Sequence, residues 1–370
     1  MPSSYSLLRR FGTGLLGGVA LGDWMKLLLE IRFRVAPSCL FRAGAISASC
    51  MQTSMFRRIE NLRFGSKVRH IAVPPPIFVL GHWRSGTTHL HNLLTVDDRF
   101  AFPNNYQVNF PHTFLTTEAI NSKMISPFLP RQRPMDNVEW NMQSPQEDEF
   151  ALCITTFKSA CMGWIVPERR EYYDRYLTFR DVPEHEIGAW RDALMHFLKK
   201  LTYKYRRPLV LKSPQHTARI KLLLEMFPGA RFVHIHRNPS TVFQSSKKTF
   251  LVVMELNRLQ RLQTDGFDDW LIDQYRRMYD AFFEERGLIP TGQYHEIGFE
   301  ELQANPLEEM RKTYSALNLP DFSQAEPALK KYLDSIAGYK KNEFSNLPAE
   351  LRGRLAAEWR RCFEEWGYSA

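Results

Sequence analysis

The sequence predicts an α/β fold, a P-loop-like three-layer α/β/α arrangement with a central parallel sheet, a helical amino-terminal extension and a helical insert. Three junctions predict it. Phe78–Leu80, Leu209–Leu211 and Arg231–His236 are short apolar or alternating runs, and each is followed by a turn and a helix start. Strands that alternate with helices imply a parallel sheet covered on both faces, with right-handed connections. A chain of 370 residues that is 44% hydrophobic and 13% aromatic can bury a substantial core. The expected organisation is an extension over 1–72 and one domain over 73–370, with the insert at 100–205.

In the extension, Arg9-Arg10 precede the glycine-rich apolar run Phe11–Leu21, and Asp23–Glu30 follows with a helical pattern. Asp23 and Lys26 interrupt the run well short of the ~20 apolar residues that span a bilayer. Three readings are open: a helix packed on the domain, which leads, a helix lying on a membrane surface, and a signal peptide. Pro74-Pro75-Pro76 then breaks the pattern, and the first strand follows at 77–80.

The loop after that strand, Gly81-His82-Trp83-Arg84-Ser85-Gly86-Thr87-Thr88, has the layout of a phosphate cradle. Its glycines allow close backbone approach, and the N–H groups of Ser85–Thr88 open a helix, where anions bind. It has the spacing of a P-loop without the lysine: Thr87 stands in that place, and the cation, Arg84, lies inside the loop. This argues for a phosphorylated ligand other than an ordinary nucleoside triphosphate.

Within the insert, Ser144-Pro145-Gln146-Glu147-Asp148-Glu149 reads as a capping box, with Ser144 as N-cap and Glu147 three residues on. The next junction has Lys212 at the strand end, Ser213 as N-cap, Pro214 at the first helical position and a helix to Phe227. Lys212 and His216 therefore stand at the rim where open α/β sheets place ligands. An imidazole in a helix's first turn is favoured in its neutral form and can accept a proton. At the third junction Arg237 follows the strand, Asn238-Pro239 open a helix, and Ser245 lies eight residues after Arg237. A guanidinium fork and a hydroxyl so placed can grip one phosphate from two sides. Further on, helices are predicted at Glu255–Gln263, Trp270–Arg286 and Pro306–Leu317, with a strand at Gln293–Ile297.

These motifs, taken in order, resemble those of the sulfotransferases that use 3'-phosphoadenosine 5'-phosphosulfate, and the L-K-S-P-x-H and P-Q-E-D-E strings resemble the large bacterial-type branch. The resemblance implies that Arg84, Ser85, Gly86, Thr87 and Thr88 hold the 5'-phosphosulfate and that Arg237 and Ser245 hold the 3'-phosphate. It implies a late basic segment, Tyr339-Lys340-Lys341-Asn342, as a lid in which Lys341 meets the nucleotide. Lys212 and Arg84 would stabilise charge as a sulfuryl group passes to a hydroxyl or, less favoured, an amine. His216, Glu147 and Glu149 are the base candidates, and no metal is expected. Arg133-Pro134-Met135-Asp136-Asn137 resembles the branch's acceptor-side segment, but a glycan, a lipid head group and a small alcohol or phenol all fit as acceptor. A P-loop kinase or nucleotide hydrolase, and a non-catalytic nucleotide- or membrane-binding protein, stay open as other readings.

The net charge of +9 is spread along the chain without any nucleic-acid motif, so it suits an anionic co-substrate or lipid surface and does not point to nucleic acid. Cys39, Cys50, Cys153, Cys161 and Cys362 are odd in number and widely spaced. They suggest neither a disulfide framework nor a zinc site, which fits a reduced, cytoplasmic setting with membrane-peripheral placement open.

Overall fold

The computed structural model describes residues 12–128, 141–338 and 347–369. Two compact units make up the chain: Met1–Val73, Pro103–Arg206 and Thr249–Asp265 in one, and Pro74–Phe102, Arg207–Lys248 and Gly266–Ala370 in the other.

The second unit holds a four-stranded sheet of β1 (Ile77–Leu80), β2 (Val210–Lys212), β3 (Arg231–His236) and β4 (Tyr294–Gly298). All pairs are parallel, in the order β2-β1-β3-β4. Each strand lies within a residue or two of its predicted place. Val79 pairs with Lys212 on one side and with Val233 on the other, so the ends of β1, β2 and β3 open onto one edge. Alternation sorts the side chains into two layers. Ile77, Val79, Val210, Val233, Ile235 and Ile297 form a core with Leu90 and Leu94 of the helix Thr87–Thr95 and with Leu302, Met310 and Tyr314 further on. On the other face Phe78 stacks on Phe232 at 5.5 Å, and His234 stacks on Phe282 of the helix Phe267–Glu285 at 4.2 Å. Burying the strands on both faces is why they read as near-continuous apolar runs.

The first unit is helical. Leu40–Arg69 runs for 30 residues beside Leu21–Glu30, where the Trp24 indole donates to Ser47 Oγ at 2.9 Å. Residues 14–20 pack inside this unit: Leu16 and Val19 are buried, and the Leu15 N–H donates to Asn257 Oδ1 at 2.8 Å. Among the described residues no helix is long and apolar enough to cross a membrane.

Three expectations need correction. The capping box at Ser144 does not form. The carbonyl of Ser144 accepts from Asn105 N–H at 3.0 Å and Gln146 N–H donates to Pro103 at 2.9 Å, so the segment pairs as extended chain and the helix starts only at Glu149. The capping box in this region is instead Asn104 with Gln107. The helix predicted over Glu255–Gln263 is the end of Pro239–Asn257. Beyond it the buried Arg42 donates to the Arg258 carbonyl at 2.6 Å, and Leu259 pairs with Ile165 and Ala36, which leaves no backbone to continue the helix. The helix after Ser213 is split into a 3-10 turn, Pro214–Ala218, and an α-helix, Ile220–Met226, with Arg219 out of helical geometry between them at φ −138° and ψ 26°.

Candidate active site

The loop Gly81–Gly86 is built around its two glycines. Gly81 has φ +137°, and a Cβ there would lie 2.5 Å from the Ile235 carbonyl oxygen of β3. Gly86, at φ +107°, caps the helix Thr87–Thr95 under the Phe299 ring. The Gly81 N–H donates to Thr217 Oγ1 at 2.7 Å, which ties the loop to the 3-10 turn after β2. Ser85 Oγ donates back to the His82 carbonyl at 2.8 Å. His82 is buried with Nδ1 2.8 Å from the Trp83 carbonyl oxygen, and burial pulls its imidazole down to about 4, so it is neutral at physiological pH. Its N–H donates to Tyr279 Oη at 3.2 Å.

Arg84 is held at φ +72°, a left-handed conformation unusual for a side chain of its size. The turn sends its guanidinium toward the helix after β3, where Nε donates to Ser245 Oγ at 2.9 Å. Arg237, one residue past β3, donates from Nη1 to the Arg84 carbonyl at 3.4 Å and lies 4.2 Å from the Phe299 ring centroid. Asn238 Oδ1 accepts the Thr241 N–H at 3.3 Å, the N-cap expected for this helix. The structure thus brings Arg84, Ser245 and Arg237 together beside the amino end of the helix that carries Thr87 and Thr88. Two guanidinium groups and a hydroxyl beside a helix amino terminus at one sheet edge can seat a polyanion.

Lys212 ends β2 and is buried, and His216 lies fully buried in the 3-10 turn with its ring edge-on to Phe78 at 5.2 Å. Glu147 and Glu149 belong to the other unit. Glu149 opens the helix Glu149–Thr156, is fully buried and accepts from Ser159 Oγ at 2.7 Å. Lys341 and the Arg133–Asn137 stretch lie outside the described residues. Sequence reading missed Thr217, His82, Tyr279 and Phe299. Thr217 directly follows His216 and His82 directly follows Gly81 in strings already singled out, while Tyr279 and Phe299 carry no local signal.

Residues 75–324 match the model of the Sulfotransferase family. The chain is 34% identical over 367 residues to omega-hydroxy-beta-dihydromenaquinone-9 sulfotransferase Stf3 of Mycobacterium bovis and of Mycobacterium tuberculosis, spanning 99% of this chain and 94% of theirs. Its fold is shared with sulfotransferase STF9 of Mycobacterium avium, with a TM-score of 0.72 at 19% identity over 95% of this chain and 97% of that one. STF1 of Mycobacterium tuberculosis gives 0.64 at 17% identity, over 92% and 91%. With the family model matched over 75–324 and alignment to curated relatives along nearly the whole chain, the chain belongs to the sulfotransferase family.

Proposed function

We propose that the protein transfers a sulfuryl group from 3'-phosphoadenosine 5'-phosphosulfate to a hydroxyl of a lipid acceptor, in the cytoplasm at a membrane surface. The observation that carries the donor is the convergence of Arg84, Ser245 and Arg237. Ser85–Thr88 hold the 5'-phosphosulfate, and Arg237 and Ser245 hold the 3'-phosphate. The acceptor oxygen attacks sulfur in line, the bond from sulfur to the bridging 5'-phosphate oxygen breaks, and 3',5'-adenosine bisphosphate leaves. His216 is the base for the acceptor's proton within the sheet unit, and Glu147 and Glu149 are the other candidates. Lys212 and Arg84 stabilise charge on the bridging and sulfuryl oxygens. A sulfuryl group carries less negative charge than a γ-phosphoryl, so fixed cations supply what magnesium supplies in kinases.

The acceptor class is supported by the Stf3 relatives, whose name specifies the omega-hydroxyl of a dihydromenaquinone. Surface chemistry supports the membrane. Leu21, Met25, Leu29 and Phe33 are exposed along one short helix and its end, and Met51, Met55 and Leu62 are exposed along the long one. Outside the core, residues 21–69 carry eight Lys and Arg against two acids, a cationic apolar surface suited to an anionic bilayer.

Calorimetry without metal tests the donor. Binding of 3',5'-adenosine bisphosphate that Arg237→Ala weakens, followed by radiolabel transfer from the sulfate donor to an ω-hydroxylated prenyl quinone, is the expected result. Preference for ATP with magnesium, or donor binding without transfer to any hydroxyl, would overturn the reading.

A further inference from the structure

Arg237 lies between two residues that one distant segment holds. His236 stacks flush against Trp366, with centroids 4.9 Å apart and planes 1° from parallel. Asn238 donates from Nδ2 to the Ser369 carbonyl at 3.5 Å. Between these, the Tyr368 hydroxyl lies 3.0 Å from His236 Nδ1 and donates to Glu300 at 2.7 Å. Because the tyrosine proton goes to the carboxylate, its oxygen accepts from His236 Nδ1–H, which fixes the imidazole tautomer. Burial holds His236 down at about 4 and raises the Tyr368 hydroxyl, so both groups keep the protonation this relay needs across the physiological range.

The segment is itself rigidly placed. The helix Arg360–Glu365 ends in a left-handed Gly367 at φ +65°, with Tyr368 N–H to the Phe363 carbonyl at 3.0 Å and Gly367 N–H to Glu364 at 3.4 Å, a Schellman pattern. Trp366 also packs on Tyr279 and Phe283. Glu300, which takes the tyrosine proton, is the chain neighbour of Phe299, the ring under the Arg237 guanidinium. A circuit therefore closes around Arg237: His236, Tyr368, Glu300, Phe299. The ladder of β3 ends at His236, paired with Gly298, so the backbone that aims Arg237 is set by these contacts and not by the sheet.

We infer that Trp366 and Tyr368 are positioning residues that aim Arg237 at the 3'-phosphate of the donor, so that discrimination for a 3'-phosphorylated nucleotide depends on this segment. The inference rests on the reading of Arg237 as the 3'-phosphate ligand. Arginine is long and flexible, and a preset backbone and ring platform reduce the freedom it must surrender on binding.

Two nucleotides that differ only in the 3'-phosphate, 3',5'-adenosine bisphosphate and adenosine 5'-monophosphate, separate this role from general packing. The full chain and its Tyr368→Phe, Trp366→Ala and Arg237→Ala variants would be titrated with each by calorimetry. In the wild type the bisphosphate binds more tightly, and Arg237→Ala removes that preference. Tyr368→Phe, which keeps the ring and its packing, should cut the preference about 5-fold or more and leave the monophosphate affinity unchanged, in line with loss of a hydrogen bond in a charged network. Trp366→Ala should cut it further. An unchanged preference in Tyr368→Phe, or a parallel loss for both nucleotides, would overturn the positioning role. A preference that survives Arg237→Ala would overturn the phosphate assignment and the positioning role together.

Discussion

Arg84 Nε donates to Ser245 Oγ at 2.9 Å, joining a loop after β1 to a helix after β3 across 161 positions of sequence. Sequence reading assigned Arg84 to the sulfuryl end of the donor and Ser245 to the 3'-phosphate, and this bond couples the two. The substitutions Arg84→Lys and Ser245→Ala should therefore interact. Each should weaken 3',5'-adenosine bisphosphate binding, and the double variant should lose less than the sum, with a coupling of ~0.5–3 kcal/mol. Lysine keeps the charge but lacks the Nε–H, so additive losses would show that the bond is incidental to binding.

The left-handed Arg84 stores strain that function retains. Arg84→Gly should leave thermal stability equal or slightly raised, by up to about 1 kcal/mol, while transfer collapses. Gly81→Ala should do the reverse of a harmless change: at φ +137°, with the Ile235 carbonyl in the way, it should cost roughly 1–3 kcal/mol in strain alone and disturb the cradle. Denaturant melts of both variants beside donor titrations check this, and a fully stable Gly81→Ala would sink it.

Lys212 and His216 both act on turnover if their roles are as proposed. Lys212→Ala should lower kcat by about 100-fold or more with the donor dissociation constant within a few-fold of wild type, as for loss of a preorganised cation. His216→Gln should lower kcat by about 100-fold or more, as for loss of a general base, while Glu147→Gln and Glu149→Gln leave it within a few-fold of wild type. Full turnover in His216→Gln would move the base to one of the two carboxylates.

Much of the sheet unit is legible in the sequence because its strands are short, buried on both faces and bounded by Gly or Pro, so each announces itself locally. The same holds for Arg237 and Ser245, which a single strand-to-helix junction places together. What was not legible depends on distant partners. The S-x-x-E signature at Ser144 is overridden by backbone pairing to Pro103–Asn105, some forty positions earlier. The helix end at Asn257 is set by Arg42, and Thr217 meets Gly81 only because β2 lies beside β1. The Trp366–Ser369 segment carries no motif at all; its relation to Arg237 exists only once the chain is folded.

The exposed apolar stripe of the helical unit gives a separate test. Flotation with vesicles rich in anionic lipid should recover the wild type at low salt, and recovery should fall when Leu21, Met25 and Leu29 are changed together to serine. Loss of about 1 kcal/mol of attraction per surface cation removed is expected for Arg32→Ser and Arg34→Ser. All five residues are exposed, so folding should survive. No binding to either neutral or anionic vesicles would remove the membrane from the proposed function, and equal binding to both would remove the cations' share in it.

Acid should unfold the protein at an unusually mild pH. Burial lowers His82 to about 4, His236 to about 4, and His112, beside Arg57 and Lys200, to about 3, from an ordinary value of 6.5. Above 6.5 each is neutral in both folded and unfolded chains, and its contribution to stability is fully present. As pH falls below 6.5 the unfolded chain takes up protons that the folded chain refuses, so stability is lost until each folded value is reached. The slope is ~1.4 kcal/mol per pH unit for each histidine, so about 4 kcal/mol per unit for the three together between pH 6.5 and 4. Glu296 acts in a lower window: burial favours its neutral form, but hydrogen bonds from His234 and Tyr294 hold it at about 2, so its stabilisation is present above 4.5 and lost as pH falls toward 2. Urea melts at pH 7, 6 and 5 should show a steep fall in midpoint, and His236→Gln should flatten it by one histidine's share. A midpoint that stays level from pH 7 to 5 would mean these imidazoles take up protons in the folded state and open the packing around each only locally.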